Sequence, residues 1–308
     1  MSPSDFPFKE VMKRENDKSG VGTALFNWYP GHMAKALREI KQKLNMVDIV
    51  LEIRDARAPL ATGNSEMNNQ IGAKKKIIVL NKANLADADI MAQWMKWFDK
   101  QGEPYLFVNC FDKAALKRIV PMARQIVEAN RKASNPDYVE TKTKLKLMIV
   151  GLPNTGKSTI INQLANRSAA KVADKPGQTQ IQQWIEMEKD VELMDTPGVM
   201  PPKIVNDQHA LWLSAIHAIP DDIADEQTTA HFLIQHLLSG RSLAFMERYK
   251  IESQDMSVDE VLVKIATLRG CLKQKGLPDL DRVYKIILSE FRKGELGRTS
   301  FGVPPVIR

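Results

Sequence analysis

Residues 151–158 read G-L-P-N-T-G-K-S and fit the pattern G-x-x-x-x-G-K-[ST]. An apolar run at residues 145–150 precedes them and predicts a buried strand, and a helix is expected from near Gly156. Backbone N–H groups of such a turn, together with the positive end of the helix, form a cradle for phosphate oxygens. A turn that binds nothing is the alternative. The spacing predicts a nucleoside triphosphate site at Thr155, Gly156, Lys157, Ser158 and Thr159, with Lys157 on the β- and γ-phosphates and Ser158 on Mg²⁺.

A second motif, D-T-P-G, starts at Asp195 at the end of another apolar run, 38 residues after Lys157. A carboxylate in this position can hold Mg²⁺ through water, and the N–H of Gly198 can contact the γ-phosphate. Thr179 lies between the two motifs, where a threonine hydroxyl would complete the Mg²⁺ shell. The three predicted Mg²⁺ ligands are therefore Ser158, Thr179 and Asp195.

A third motif, N-K-A-N at residues 81–84, resembles the N-K-x-D with which GTPases read guanine. The match predicts that Asn81 and Lys82 bind the nucleotide. In N-K-x-D the lysine, here Lys82, packs on the base, and the final carboxylate accepts two N–H groups of the base. Asn84 offers one amide acceptor and brings a donor, which should cost about 1.5–3 kcal/mol of guanine binding. Since xanthine has a carbonyl where guanine has its amino group, altered base selectivity stays open. Together the three motifs indicate GTP.

The elements that would position these motifs alternate along the chain. Strands are predicted at residues 46–53, 77–80, 105–109 and 145–150, helices at 34–44, 88–100 and 113–131, and a hairpin at 181–187 and 191–194. This alternation predicts an α/β fold with a mostly parallel sheet and helices on both faces. Beyond Pro202 helical patterns take over, which predicts a small all-α domain. We expect a poorly ordered polar extension at residues 1–26, the α/β domain at 27–205 and the helical domain at 206–308.

The bulk composition restricts the class of protein. The chain has 308 residues, of which 44% are hydrophobic and 26% charged, values typical of a globular protein. No apolar run is long enough for a membrane span, and residues 1–26 lack the apolar core of a secretory signal. The two cysteines are too few for a disulfide framework. We expect a cytoplasmic monomer that binds neither membrane nor DNA.

The formal net charge of +7 is concentrated at the C-terminus, where residues 264–308 contain ten Lys or Arg against four Asp or Glu. A local excess of this size is typical of a surface that binds a polyanion. Residues 281–292 have helical spacing that separates apolar from basic positions. A solvated helix with an ordinary apolar face is the alternative. Under the first interpretation RNA phosphates contact Lys273, Lys275, Arg282, Lys285, Arg292 and Arg298.

The order of the motifs identifies a family. The base-reading motif precedes the phosphate loop by some seventy residues instead of following it, which is the order of a circular permutation. Further signatures are Y-P-G-H-M at residues 29–33, D-A-R-A-P at 55–59, R-G-C at 269–271 and G-R-T-S-F at 297–301. With these signatures the chain resembles the circularly permuted GTPases of the YlqF type, the ribosome biogenesis GTPase A family. The resemblance covers about residues 26–302.

The resemblance implies a function and several site residues. It implies late assembly of the large ribosomal subunit, GTP hydrolysis stimulated by the ribosomal particle, and a C-terminal domain that binds rRNA. His32 would support hydrolysis together with Lys157 and Thr179, although a local capping or packing role for His32 is the simpler interpretation. Asn154 would bind K⁺ beside the phosphates. Backbone at Asn109 and Cys110 would contact the base, although Lys113 and Ala115 stand where the family usually has glycines.

Two other functions stay open at this point. A P-loop kinase or metabolic NTPase would share the phosphate loop, but it would explain neither D-T-P-G nor the basic C-terminus. A nucleotide-dependent RNA-binding scaffold with little hydrolysis is favoured by Asn84 and by Val199, which replaces the water-positioning glutamine of Ras-like enzymes.

Overall fold

A computed structural model describes residues 31–135, 137–139, 143–165, 183–188 and 190–305, without the side chains of His32 and Glu188. The polar extension predicted at residues 1–26 and the predicted Mg²⁺ ligand Thr179 lie outside the described residues. Among the helices that are described, none combines the length and the apolar character needed to cross a membrane.

A six-stranded sheet forms the centre of the described chain. Its strands are β1 (Ile49–Asp55), β2 (Lys76–Asn81), β3 (Tyr105–Phe107), β4 (Leu145–Gly151), β5 (Gln183–Glu188) and β6 (Val191–Asp195). They lie in the order β3-β2-β1-β4-β6-β5, and only β5, at the edge, runs antiparallel to its neighbour. The predicted α/β class, the mostly parallel sheet and the hairpin are confirmed.

In the described part of the chain, six helices accompany the sheet. They are α1 (Gly31–Lys43), α2 (Ser65–Ile71), α3 (Ala88–Gln101), α4 (Lys113–Leu116), α5 (Ile119–Ser134) and α6 (Lys157–Leu164). Asp87 caps α3 by accepting the N–H groups of Asp89 and Ile90. The single helix expected at residues 113–131 is divided, and Pro121 lies in the first turn of α5, where a missing N–H costs little.

Apolar residues bury both faces of the sheet. On one face Ile49, Leu51 and Ile53 of β1 pack with β4, β6, α5 and α6. On the other face Val50 and Met148 join α1, α2 and the helices that follow residue 205. A smaller cluster under α3 contains Trp94 and Phe98. Since parallel strands buried on both faces need continuous apolar runs, the sequence pattern and the packing agree.

Helices follow in the C-terminal part, namely α7 (Asp207–Ala215), α8 (Glu226–Ser239), α9 (Leu243–Tyr249), α10 (Val258–Leu268) and α11 (Leu280–Lys293). Ser257 and Glu260 form a capping box at the start of α10. One apolar cluster joins these helices to Met148 and Val150 of β4, so the core continues across residue 205. The domain boundary near that residue stays a prediction.

Candidate nucleotide-binding site

The phosphate loop joins β4 to α6 and has the local geometry that its glycines predict. Gly156 has a φ of 94°, in the left-handed region, and directly precedes the first residue of α6. A Cβ at Gly156 would collide with the side-chain nitrogen of Asn81. The buried Lys157 ammonium donates to the carbonyl oxygens of Gly151 and Leu152 at 3.2 and 2.8 Å. Ser158 and Thr159 occupy the first, partly exposed turn of α6.

Asn81 connects three segments that are far apart in the sequence. Its side-chain nitrogen donates to the carbonyl oxygen of Thr155 at 2.9 Å, and its side-chain oxygen accepts the N–H of Cys110 at 3.1 Å. The residue is fully buried at the end of β2. The phosphate loop, the base-reading motif and the Asn109–Cys110 turn therefore meet at one point.

Lys82 extends from the base-reading motif to the phosphate loop. Its backbone is left-handed, with φ 60° and ψ 31°, which is uncommon for a residue with a side chain. Its ammonium donates to the carbonyl oxygen of Asn154 at 2.7 Å and lies 3.0 Å from a carboxylate oxygen of Asp55. Burial lowers the pKa of Lys82, against the opposing effect of Asp55.

A buried ion pair between two residues that were not predicted for the site lies beside Lys82. Arg57 donates through Nε and Nη2 to the two carboxylate oxygens of Asp55, at 2.9 and 2.8 Å, and both side chains are 1% exposed. Burial alone would raise the pKa of Asp55, but the charges of Arg57 and Lys82 hold it well below its usual range. The D-A-R motif leaves a strand at the carboxyl edge of the sheet, which is the signal that could have placed both residues here.

Asp195 ends β6 with its carboxylate almost completely buried. Neither carboxylate oxygen has a partner in hydrogen-bonding geometry among the described residues. Burial raises the pKa of Asp195 to about 6 against the effect of the Lys157 charge, and burial lowers the pKa of Lys157 to about 8 against that of Asp195. Two unpartnered carboxylate oxygens are suitable ligands for a hard divalent cation, so this strand end fits Mg²⁺.

The rest of D-T-P-G packs tightly against the phosphate loop. A Cβ at Gly198 would come within 2.9 Å of the Pro153 backbone, so this contact requires glycine. Val199 is buried and its N–H donates to the carbonyl oxygen of Gly151 at 3.3 Å. The buried, apolar Val199 side chain has no group that could hold the attacking water.

Asn154 has a left-handed backbone, with φ 56°, and its side chain contacts the helical part of the chain. The amide nitrogen donates to the carbonyl oxygen of His217, just after α7, at 2.8 Å. This bond leaves the amide oxygen as the atom that could bind K⁺. The phosphate loop is thereby connected to the C-terminal helices.

Other predicted site residues lie at the edges of this arrangement. Asn84 is exposed within a 3₁₀ turn, Ala83–Leu85. The side-chain oxygen of Asn109 accepts the N–H of Phe111 at 3.1 Å, which shapes the turn that carries Cys110. His32 lies in the first turn of α1, and its side chain is outside the described structure.

A C-terminal segment, residues 299–302, lies across the base-reading region. The N–H of Thr299 donates to the carbonyl oxygen of Leu85 at 2.9 Å, and the N–H of Phe301 donates to that of Arg57 at 2.6 Å. The Ser300 hydroxyl accepts the N–H of Asp87 at 3.0 Å. The signature G-R-T-S-F therefore contacts the loops around the expected base site.

The predicted RNA-contacting residues divide into two groups. The exposed ones are Lys273, Lys275, Arg282, Lys285 and Arg298. Arg292 is different, because its guanidinium donates to both carboxylate oxygens of Asp221 and to the carbonyl oxygens of Ser214 and Ala215. Its side chain is only 17% exposed. The structure thus gives Arg292 an internal role between α11 and α7, and we remove it from the RNA-binding set.

Comparison with known proteins agrees with this geometry. Residues 146–268 match the family described as 50S ribosome-binding GTPase. Ribosome biogenesis GTPase A of Bacillus cereus is 35% identical over 280 residues, or 91% of this chain and 94% of the relative. Mitochondrial ribosome-associated GTPase 1 of Mus musculus is 31% identical over 300 residues, or 90% of each chain. The crystal structure of GNP-bound YlqF from T. maritima matches with a TM-score of 0.63 and 32% sequence identity. The match covers 89% of this chain and 100% of that one. The chain therefore belongs to the ribosome biogenesis GTPase A family, the circularly permuted GTPases of the YlqF type.

Proposed function

We propose that this GTPase hydrolyses GTP during a late step in assembly of the large ribosomal subunit, and that the ribosomal particle stimulates hydrolysis. The observation that carries the proposal is the junction at Asn81, which joins the phosphate loop at Thr155 to the base-reading motif and to the turn at Cys110. A P-loop kinase needs no such base-reading junction. The partner is supported by the family described as 50S ribosome-binding GTPase and by the names of the relatives. This function would place the protein in the cytoplasm.

In the proposed site, Lys157 and the N–H groups at the start of α6 bind the phosphates of GTP. On nucleotide binding the Lys157 ammonium exchanges its two carbonyl partners for phosphate oxygens, which carry full negative charge. Asp195 and Ser158 would hold Mg²⁺, with Thr179 as a further ligand. When bound, Mg²⁺ neutralises charge that develops on the phosphate oxygens during transfer.

The attacking water needs a partner other than Val199. We assign this role to His32, because a neutral imidazole can hold or polarise a water molecule. The amide oxygen of Asn154 would bind K⁺, whose charge would offset charge that develops at the phosphates. Stimulation by the particle follows if the rRNA or a ribosomal protein places the His32 side chain against the attacking water.

The proposed RNA surface comprises the exposed residues Lys273, Lys275, Arg282, Lys285 and Arg298. The ammonium of Lys273 lies 3.8 Å from the Asp281 carboxylate, which places the loop before α11 beside the first turn of that helix. Neutralising phosphates with these residues would release counterions, so binding to the large subunit should weaken steeply as salt increases.

Single-turnover hydrolysis of GTP, with and without purified large ribosomal subunits, tests the proposal. We expect the large subunit, and not the small subunit, to accelerate hydrolysis. Lys157→Ala should abolish tight nucleotide binding, whereas Lys96→Ala, the same change at an exposed position on α3, should have no effect. Equal rates with and without the particle would contradict stimulation, and binding of GTP without hydrolysis in both conditions would favour the scaffold.

A further inference from the structure

Asp55 lies directly beside the base-reading motif. It is the last residue of β1 and is paired in register with Asn81, the last residue of β2. The N–H of the next residue, Ala56, donates to the carbonyl oxygen of Asn81 at 2.8 Å. The backbone of Asp55 is therefore fixed by the sheet itself, at the edge where ligands of α/β proteins bind.

This one carboxylate is shared by two cations. One oxygen accepts the backbone N–H and Nε of Arg57, at 3.0 and 2.9 Å. The other accepts Nη2 of Arg57 at 2.8 Å and lies 3.0 Å from the Lys82 ammonium. Because the planar guanidinium binds both oxygens at once, it fixes the plane of the carboxylate, and the second oxygen is held toward Lys82.

Arg57 is itself held rigidly. Its guanidinium lies 5.2 Å from the ring centroid of Phe291, and its carbonyl oxygen accepts the N–H of Phe301. The side chain is almost completely buried. A buried arginine packed in this way has little freedom to adjust, so the orientation of Asp55 is set by the fold.

The position of the Lys82 side chain depends on residues outside the base-reading motif. Among the described residues, its ammonium contacts the Asn154 carbonyl oxygen and the Asp55 carboxylate, and its backbone adopts the left-handed conformation. With the Asn154 contact alone, this flexible four-carbon side chain would sample more rotamers than it does with both contacts. The carboxylate selects the one that spans from the base-reading motif to the phosphate loop.

We infer that Asp55, oriented by Arg57, is a positioning residue that sets Lys82 for recognition of the nucleotide base. The inference rests on the proposed function, because Lys82 packs on the base only if the nucleotide binds as proposed. It gives the D-A-R motif a role in base selectivity rather than in folding alone. Neither residue needs to touch the nucleotide.

The test is the ratio of the GDP and ADP affinities. Asp55→Asn keeps the size of the side chain but removes its charge, so Lys82 loses its ion pair. We expect GDP binding to weaken about tenfold or more. ADP binding depends mainly on phosphate contacts and should weaken much less, so the ratio of GDP to ADP affinity falls. A loss of folded protein would instead lower the binding amplitude for both nucleotides equally.

A double-mutant cycle separates an action through Lys82 from an independent effect. If Asp55 acts through Lys82, Asp55→Asn should change GDP affinity less than about twofold in a Lys82→Met background. Additive effects would overturn the inference. If Lys82→Met itself binds GDP like the wild type, the proposed base site fails, and this outcome is distinct from failure of the Asp55 inference.

The same strand offers a matched control. Glu52 of β1 is also buried between an arginine two residues later in the chain and a lysine of β2. Its carboxylate oxygens lie 2.7 Å from Nη2 of Arg54 and 3.5 Å from Nζ of Lys76. The lysine of this triad is remote from the base-reading motif, because Lys76 begins β2 and Lys82 follows its end. Glu52→Gln should therefore disturb a similar ion pair without changing the ratio of GDP to ADP affinity. If this control lowers the ratio as much as Asp55→Asn does, the inference is overturned.

If Asp55→Asn does not fold, Arg57→Lys decides the question. Lysine keeps the charge but cannot bind both carboxylate oxygens in a fixed plane, so the orientation of Asp55 loosens. We expect the GDP to ADP ratio to fall about threefold or more in the folded variant. An unchanged ratio would overturn the inference.

Discussion

Raising the pH from about 7 to about 8.5 should weaken GDP binding about fourfold in the absence of Mg²⁺, because the empty site must take up a proton. The proton goes to Lys157, whose pKa burial lowers to about 8 in the empty protein. Bound phosphate favours the charged ammonium and raises this pKa again. The affinity for GDP is therefore highest below the pKa of Lys157 in the empty site and falls as pH rises through that pKa.

The magnitude follows from the fraction of empty protein that is already protonated. With a pKa of about 8 this fraction is about 90% near pH 7 and about 25% near pH 8.5, a difference of about 0.8 kcal/mol in binding free energy. Fluorescent GDP titrated in EDTA gives the affinity. Calorimetry in buffers of different ionisation enthalpy should give an uptake of about 0.75 proton near pH 8.5.

Lys157→Met is the control for this experiment, since it removes the titrating group and also reports any ionisation of GDP itself. We expect it to bind weakly and with no pH dependence over this range. An affinity that is constant or increases with pH in the wild type would refute the reasoning. A Met variant with the same slope would show that another group titrates.

Three further predictions concern other parts of the chain. Arg292→Ala should lower the free energy of unfolding by about 2–4 kcal/mol in urea titrations, because it leaves Asp221 and two carbonyl groups unpaired. Replacement of the exposed residue, Arg282→Ala, should change this free energy by no more than about 0.5 kcal/mol. Equal losses in the two variants would refute the internal role of Arg292. Asn84→Asp should tighten GTP and weaken XTP about tenfold each in competition titrations, and no change in either would mean that the departure at this position is compensated elsewhere. His32→Ala should preserve GTP affinity but slow particle-stimulated hydrolysis at least about tenfold, which corresponds to about 1.4 kcal/mol of activation free energy. Normal hydrolysis by this variant would mean that His32 has a structural role. Replacing K⁺ by Na⁺ should slow GTP hydrolysis by the wild-type protein.

The sequence predicted the fold class and the strands that carry the motifs, because both depend on local patterns. Buried parallel strands are continuous apolar runs, and a glycine-rich turn followed by Lys157 and Ser158 restricts its own backbone. The ends of the elements were predicted less accurately. The strand expected at residues 46–53 is observed at Ile49–Asp55, because a 3₁₀ turn, Leu44–Met46, includes the first residue of the predicted strand.

The charged contacts could not be predicted in the same way. The Asp55–Lys82 pair depends on β1 lying next to β2, a consequence of strand order that residue spacing does not contain. Helical spacing placed Arg292 among the basic residues of α11, but its partner Asp221 lies 71 positions earlier in the chain. Which charge faces solvent and which is internal is decided by tertiary packing.

A crystal structure with a non-hydrolysable GTP analogue and Mn²⁺ in place of Mg²⁺ tests the proposed site most directly, because anomalous scattering locates the metal. We expect the phosphates along residues 151–158, the metal between Ser158 and Asp195, and the base against Lys82 and the Asn109–Cys110 turn. A base bound away from Lys82, or a metal that does not contact Asp195, would contradict the account.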